Sequence, residues 1–288
     1  MIRSSLPHLH VATHSHPGMT GKNNEDRYAV TAFQLAKDDP RPSVLAVVAD
    51  GIGGHRAGEV AAELAVNYIT KGISESNAKK PVRILETAIH DASQAIASHS
   101  AGKADEEGMG STCACVWIIE NRLFTAYVGD SRIYLIRGNH IQQLTIDHTW
   151  VQEAFEKGII TAEQMRDHPN VHVIRRHLGG LKLPEVDFRM RIDNSETNEE
   201  SENNQGFHLA HGDTILLCSD GLTDLVWEDE IMNIVNSKKD LKSSAEKLVN
   251  LANERGGHDN ITVVILSMPK LDEVERRKAG ILDWLLGE

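Results

Sequence analysis

Aromatic residues are scarce in this sequence, and it has no excess of positive charge. Phe, Trp and Tyr make up 5% of its 288 residues, and 42 Asp and Glu against 30 Lys and Arg give a formal net charge of -12 at pH 7. A protein that binds nucleic acid needs a basic face to displace counterions, and one that binds single strands needs aromatic rings on which bases stack. The composition therefore argues against a nucleic-acid partner.

Long apolar runs are also missing. The apolar run at residues 44–49 is far shorter than the ~20 residues that a transmembrane helix requires, so the sequence predicts no membrane span. Residues 1–20 contain four His and two Pro but no apolar segment of the kind found in secretory signals. We therefore expect a cytoplasmic protein.

Cysteine is rare, with three residues in the chain. Cys113 and Cys115 lie two positions apart in a predicted strand, which places them on one face of it. Three cysteines do not form a disulfide framework. We interpret all three as thiols of the core.

Apolar periodicity predicts a protein of the α+β class. Amphipathic helices are predicted at 57–68, 82–96 and 241–252. Strands are predicted at 26–33, 44–49, 112–119, 122–128, 132–137, 140–144, 214–219 and 261–267. The links within the central group of four strands are too short for a crossover helix, so we expect those four to be antiparallel neighbours in one meander. The helices are grouped outside the strands rather than alternating with them, which favours sheets covered by helices.

Two segments stand apart from this pattern. Residues 193–206 hold five carboxylates, four Asn and no basic residue, and we expect a mobile, solvated loop there. Residues 269–288 are predicted to form an amphipathic tail that follows a domain at 1–268. Its apolar stripe is too short to cross a bilayer, and we expect it to dock on the protein's own surface or on a partner.

Acidic residues recur at the ends of the predicted strands. Asp50, Asp130, Asp220 and Asp259 each lie beside Gly or Asn at such an end, and the pair Glu25–Asp26 opens another strand. A single Asp of this kind is more often a turn residue than a ligand. If all of these carboxylates meet at one rim, however, they repel one another unless a divalent cation is present, and ligands that are all oxygen suit Mg²⁺ or Mn²⁺. Zinc is disfavoured because Cys and His show no ligand spacing. The histidines at 8, 10, 14 and 16 are interpreted as part of a strand or a frayed terminus.

Five segments together resemble the ordered motifs of a known family. They are GMTGKNNED at 18–26, VADGIGGH at 48–55, VGDSR at 128–132, CSDG at 218–221 and DNIT at 259–262. Their order and spacing, from about residue 10 to residue 268, are similar to those of the metal-dependent protein serine/threonine phosphatases of type 2C in their bacterial form. The resemblance implies a central β-sandwich of two antiparallel sheets flanked by helices on both outer faces. It also implies a binuclear Mg²⁺ or Mn²⁺ centre at one end of the sandwich, which removes phosphate from phosphoserine and phosphothreonine.

The resemblance also implies a role for each matching residue. Asp50 corresponds to the carboxylate that bridges both metals, Asp220 and Asp259 to ligands of the first metal, and the Gly51 carbonyl to a ligand of the second. Glu25 and Asp26 correspond to the acidic pair that binds or orients waters on the second metal. Asp130 and Asp220 correspond to a weaker third site. The residues expected to be catalytic are Asp50, Asp220, Asp259 and Asp26. Arg132 and Asn260 are assigned to scaffolding, and residues 147–178 resemble a flap beside the active site, although a surface pair of helices fits those residues equally well.

The chain departs from the family pattern at two positions. Gly21 stands where most relatives have an arginine that grips the substrate phosphate, so Lys22 and, in the flap, His168 are the candidate substrate-binding residues. Ile52 stands where eukaryotic relatives have a histidine after the Asp–Gly pair. His55 lies close by, but a histidine at the start of a helix is more often structural.

Two functions remain open at this point. The first is hydrolysis of phosphoproteins, which would oppose a bacterial-type serine/threonine kinase. The second is that of a catalytically weak relative acting as a phosphoprotein-binding regulatory module. The complete carboxylate set favours the enzyme. A thiol mechanism is excluded because none of the cysteines begins a Cys-x5-Arg loop.

Overall fold

The computed structural model describes residues 1–53, 57–237 and 240–271. The strands are β1 (Ile2–Ser4), β2 (His10–His16), β3 (Arg27–Gln34), β4 (Pro42–Ala49), β5 (Gly51–Ile52), β6 (Gly110–Ser111), β7 (Cys113–Ile119), β8 (Arg122–Val128), β9 (Arg132–Arg137), β10 (His140–Gln143), β11 (Phe207–His208), β12 (Thr214–Cys218) and β13 (Ile261–Ser267). The helices are α1 (Ala57–Ser74), α2 (Pro81–Ser100), α3 (Trp150–Glu156), α4 (Ala162–Met165), α5 (Asn198–Asn203), α6 (Asp220–Thr223), α7 (Glu228–Ser237) and α8 (Leu241–Glu254).

Two antiparallel sheets form the centre of the molecule. The first has the strand order β1-β3-β4-β7-β8-β11 and the second has the order β10-β9-β12-β13-β2. β2 carries most of the N-terminal histidines and lies at the edge of the second sheet, where His14 is opposite Val263. The strand interpretation of this segment is therefore confirmed.

Alternate residues of each strand face different layers of the core. In β4, Val44, Ala46 and Val48 pack between the two sheets. Leu45, Val47 and Ala49 point the other way, against α1 and α2. On the far side, β12 and β13 pack their outward residues against α7 and α8. Both strand faces are thus apolar, which explains the continuous hydrophobic runs and confirms a β-sandwich with helices on both outer faces.

The prediction of one four-strand meander is wrong. β7 pairs with β8 and β9 pairs with β10 as expected, but β8 lies in the first sheet and β9 in the second. The short link between them crosses from one sheet to the other. Gly129 makes this possible with a φ of 107°, a conformation that L side chains rarely adopt. The short link between β8 and β9 therefore leaves no room for a crossover helix, but it does not require the two strands to pair as a hairpin.

The acidic segment at 193–206 is not a free loop. Its second half forms α5, whose N-cap Thr197 and residue Glu200 bond reciprocally to each other's backbone. Ser201 is buried, and Asn204 donates to the Met190 carbonyl. Helix capping depends on two residues rather than on composition, which explains why part of this segment is helical where we expected a loop.

The tail prediction falls mostly on residues 272–288, which lie outside the described residues. Met268 is the last residue before the tail, and its N–H donates to the Asp213 carbonyl at 2.8 Å. A domain boundary after this residue stays a prediction. No helix in the described part of the chain combines the length and the apolar character of a membrane span.

Replacing Gly129 with alanine tests the crossing between the sheets. An added Cβ would lie 2.6 Å from Thr112 Cγ2, and the positive φ adds strain of about 1–2 kcal/mol. The matched control is Gly138→Ala in the β9–β10 hairpin, where φ is also positive but nothing lies within 4 Å. We predict that Gly129→Ala lowers the free energy of unfolding in urea by at least twice as much as the control. Equal losses would contradict the proposed role of this glycine.

Candidate metal centre

The predicted carboxylates lie at one rim because of strand pairing. In the first sheet Arg27, the first residue of β3, is opposite Ala49, the last residue of β4. Asp26, just before β3, and Asp50, just after β4, therefore lie at the same end of the sheet. In the second sheet the end of β12 lies beside the beginnings of β9 and β13, which carry Asp130 and Asp259. The link between β8 and β9 joins the two sheets at this end. The rim therefore receives acidic residues from both sheets.

Hydroxyl groups hold the rim together. The Asp50 N–H donates to Thr112 Oγ1 at 2.9 Å, and that oxygen lies 2.8 Å from Ser131 Oγ, across the sandwich. On the other side, Ser219 Oγ donates to Asp26 Oδ2 at 2.7 Å and accepts from the Thr262 N–H at 3.0 Å. These bonds fix the backbone beside the acidic residues without involving the other carboxylate oxygens.

Buried carboxylates at this rim resist ionisation. Burial raises the pKa of Asp26 to about 6 and that of Asp130 to about 7. Burial, with neighbouring carboxylates as the next cause, also raises the pKa values of Asp50 and Asp220 well above their usual range. Loss of hydration and mutual repulsion both disfavour the charged form, so a cation at the rim would lower these pKa values.

Three oxygens at the rim have no hydrogen-bond partner. They are Asp26 Oδ1, Asp130 Oδ1 and Asp220 Oδ1, all buried. An unpaired buried acceptor costs about 1–3 kcal/mol. Because the free atoms are all carboxylate oxygens, they match the ligand preference of Mg²⁺ and Mn²⁺. The residues present therefore fit the expected metals.

Glu25 and Gly51 occupy the first-sheet side of the rim. The Glu25 N–H donates to Asn260 Oδ1 at 2.7 Å, and burial together with Asp259 raises the pKa of its carboxyl. Gly51 packs so closely against α1 that an added Cβ would lie 2.1 Å from the Gly58 carbonyl oxygen. Only glycine fits at this position, and its carbonyl lies beside the acidic cluster.

Arg132 and Asn260 have the scaffolding contacts expected of them. Arg132 binds both carboxylate oxygens of Asp147. Asn260 Nδ2 donates to the carbonyls of Pro17 and Asn23. These bonds tie the flap and the N-terminal motif to the rim.

The two candidate substrate-binding residues have different surroundings. Lys22 is exposed, and its charge partly offsets the rise that burial and Asp259 cause in the pKa of Glu25, which places it beside the rim. His168 stacks on Trp150 with ring centroids 4.8 Å apart, and its Nδ1 accepts from the Asn170 N–H. These contacts indicate that His168 stabilises the structure of the flap. Gly21 has a φ of 76° and open space around it, whereas His55 lies outside the described residues.

Residues 147–178, where the resemblance predicts a flap, form one wall of a cleft over the rim. α3 and α4 lie within it, and the cleft is lined by Asp130, Arg132, Asp147, Arg166, His172, Asp220, Asp224, Trp227 and Asp259 among others. The Arg166 guanidinium lies 3.4 Å from the centroid of the Trp227 ring, and its Nη2 donates to the Asp224 carbonyl at 2.9 Å. The flap is therefore attached to the chain that follows α6.

Sequence reasoning missed several residues of this cleft. Asp224 follows Asp220 by four positions, the spacing that puts two helical residues on one face, so a signal was present. His172, Arg166 and Trp227 carried no such signal. His148 was also missed: it is buried, its Nδ1 accepts from the Gly129 N–H at 3.0 Å, and its Nε2 lies 3.1 Å from Asp187 Oδ2. It thus supports the turn that carries Asp130.

Comparison with known proteins agrees with this geometry. The family model described as Protein phosphatase 2C matches residues 15–265. The chain belongs to the protein phosphatase 2C family. A relative named serine/threonine phosphatase stp from Listeria welshimeri is 33% identical over 262 residues, which cover 90% of this chain and 95% of the relative.

Solved structures agree in fold as well as in sequence. The serine/threonine phosphatase PstP/Ppp of Mycobacterium tuberculosis is 33% identical with a TM-score of 0.75, and the match covers 91% of this chain and 99% of that one. A crystal structure of the catalytic domain of a serine/threonine protein phosphatase PstP in complex with two manganese ions is 32% identical with a TM-score of 0.72, with the same coverage. The predicted family, fold and enzyme class, a protein serine/threonine phosphatase, are therefore confirmed.

Buried carboxylates with raised pKa values should destabilise the metal-free protein at neutral pH. The folded state binds a proton at Asp130 more tightly than the unfolded state, so this contribution to stability is complete below pH 4 and lost as the pH rises to about 7. We predict that without metal Asp130→Asn is more stable than the wild type at pH 8, by about 1 kcal/mol or more, and that the gap narrows toward pH 4.

Urea denaturation in the presence of a chelator at pH 4, 6 and 8 measures this difference in stability between Asp130→Asn and the wild type. The matched control is Asp38→Asn at an exposed position, which should follow the wild type at every pH. A gap that is absent at pH 8 or that widens toward pH 4 would contradict the electrostatic account of the rim.

Proposed function

We propose that this protein hydrolyses phosphoserine and phosphothreonine in proteins at a binuclear Mg²⁺ or Mn²⁺ centre on the rim. One observation carries the proposal: three buried carboxylate oxygens without partners, Asp26 Oδ1, Asp130 Oδ1 and Asp220 Oδ1, lie at one end of a sandwich whose family includes a structure with two manganese ions. Such an arrangement is unfavourable for the free protein and favourable once divalent cations are present.

The residues that would hold the ions are those that the family resemblance assigns. Asp50 would bind both cations, Asp220 and Asp259 one of them, and the Gly51 carbonyl the other. Glu25 and Asp26 would bind or orient waters on the second cation. When bound, the two ions would supply a water that is nucleophilic near neutral pH and would offset charge on the phosphoryl oxygens.

The protein's own groups orient the reactants. Ser219 holds one oxygen of Asp26, which leaves the other available to a water. Lys22, next to Glu25, would contribute positive charge toward the phosphate in a chain whose net charge of -12 disfavours acidic substrates. Arg27 is not available for this role because its guanidinium bonds to Glu59 and to the carbonyls of Asn24 and Asp26.

A cysteine nucleophile is not part of the mechanism. Cys113, Cys115 and Cys218 are fully buried, and burial raises the pKa of Cys113 and of Cys218 to about 12. Their thiols therefore stay protonated at neutral pH. Direct attack by water on phosphorus needs no covalent phosphoenzyme.

The substrates would be proteins phosphorylated by a serine/threonine kinase, as the named phosphatase relatives suggest. The complete set of acidic residues at the rim supports an enzyme over a phosphoprotein-binding module, since a module that only binds has no use for partly buried, mutually repelling carboxylates. A cytoplasmic location stays a prediction from the sequence.

Replacing Asp220 with asparagine tests the proposal. The variant keeps the size of the side chain but removes a charge that both the metals and the proposed chemistry need. We predict at least a thousandfold loss of turnover of a phosphothreonine peptide with Mn²⁺, roughly 4 kcal/mol of transition-state stabilisation, and no turnover by the wild type in excess EDTA.

The control is Asp193→Asn, at an exposed position far along the chain from the rim motifs, which should match the wild type. Wild-type turnover that persists in EDTA would rule out the metal mechanism. A folded wild type that binds phosphopeptide with Mn²⁺ but never releases phosphate would favour the regulatory module.

A further inference from the structure

One tight cluster in the cleft combines a flap histidine with two carboxylates. Ligand atoms of His172, Asp220 and Asp224 all lie within 4.8 Å of one another, and within residues 1–53, 57–237 and 240–271 this is the one set of three His, Cys, Asp or Glu that meets this limit. His172 Nδ1 lies 3.6 Å from Asp224 Oδ2. An imidazole nitrogen and carboxylate oxygens are thus already close to the spacing of ligands around one ion.

Two carboxylate oxygens in this cleft are unpaired, one of them within the cluster. Asp130 is 6% exposed, and its Oδ1 has no hydrogen-bond partner. Asp220 Oδ1 is buried and unpaired as well. Both residues line the same cleft as His172 and Asp224. Arg132 and Arg166 also line this cleft, but neither guanidinium bonds to the two free carboxylate oxygens.

An ion pair between His172 and Asp224 does not account for these observations. The two side chains are 65% and 35% exposed, and exposed pairs contribute about 0–1 kcal/mol. The pair also leaves the free oxygens of Asp130 and Asp220 without a partner. A cation shared by the cluster would give the free oxygen of Asp220 a partner and would place a positive charge in the cleft that Asp130 also lines.

We propose that His172 is a ligand of a third cation, which it would share with Asp220 and Asp224 while Asp130 lies beside them. The proposal rests on the proposed function, because Asp220 also serves the binuclear centre. It adds a nitrogen ligand from the flap to a site for which the sequence indicated only Asp130 and Asp220. Imidazole is a better ligand for transition metals than for Mg²⁺, so this third site would prefer Mn²⁺ to Mg²⁺.

A metal at this place would also fasten the flap. Arg166 already ties one part of the flap to the carbonyls of Thr223 and Asp224, directly after Asp220. Coordination by His172 would attach the following part of the flap to the same turn. Occupancy of the third site would then set how firmly the flap covers the cleft.

Direct metal binding tests the proposal without relying on turnover. We would titrate the full-length protein with Mn²⁺ alone and count free Mn²⁺ by electron paramagnetic resonance. The wild type should bind two ions tightly and a third more weakly. In His172→Asn the weak site should lose about tenfold or more in affinity, while the two tight sites stay unchanged.

Matched controls separate nitrogen ligation from general damage. His140→Asn, at an exposed hairpin position, should bind all three ions like the wild type. The affinity of the weak site for Mg²⁺ is measured by calorimetry. The His172→Asn substitution should lower this affinity much less than it lowers the affinity of the same site for Mn²⁺. In a second readout, Mn²⁺ should slow tryptic cleavage after Arg175 in the wild type but not in His172→Asn.

The outcomes separate a failure of this inference from a failure of the proposed function. Weak-site Mn²⁺ affinity that is the same in His172→Asn and the wild type, or a wild type with no third ion, overturns this inference and leaves the binuclear centre standing. A wild type that binds no Mn²⁺ at all overturns the proposed function and this inference together. Because His172 is exposed, a folded variant is expected, and circular dichroism verifies it.

Discussion

The burial of like charges at one rim is the constraint on which the rest of this structure depends. Asp26 and Asp130 are almost fully buried, and with Asp50 and Asp220 they have pKa values raised by burial. Such a cluster persists only if the surrounding backbone holds it in place. The hydroxyl bonds of Thr112, Ser131 and Ser219 do so from both sheets. These hydrogen bonds thus hold the mutually repelling carboxylates in place. The positions of the carboxylates are therefore already suited to cations.

The sandwich provides the rigidity that the rim needs. Alternate residues of β4 pack against the other sheet and against α1 and α2, so neither sheet can slide without disturbing two cores at once. Glycines provide the close approaches: Gly51 against Gly58, and Gly221 against Asn260, where an added Cβ would lie 2.1 Å from a backbone oxygen in each case. The flap is attached less firmly, by Arg166, Arg132 and a few backbone bonds.

Much of this could be predicted from the sequence, for physical reasons that also explain the failures. Continuous apolar runs such as β4 and β13 predict buried strands, and an Asp next to Gly at a strand end predicts a rim, because both are local patterns. The crossing at Gly129–Ser131 was predicted incorrectly because a short link excludes a helix without specifying which sheet comes next. α5 was missed because composition masked a capping box at Thr197 and Glu200. His172 could not be recognised, since its proximity to Asp220 arises only when the flap folds over the rim.

Anomalous diffraction from crystals grown with Mn²⁺ tests the central claim most directly. The account predicts two strong peaks at the rim, both within ligand distance of Asp50, with one of them also near Asp220 and Asp259. It predicts that Asp26 keeps its bond to Ser219, because the scaffold is already in place. Saturating Mn²⁺ that gives no peak at the rim, or peaks only on surface carboxylates elsewhere, would contradict the claim that this cluster of acidic residues is built to hold metal.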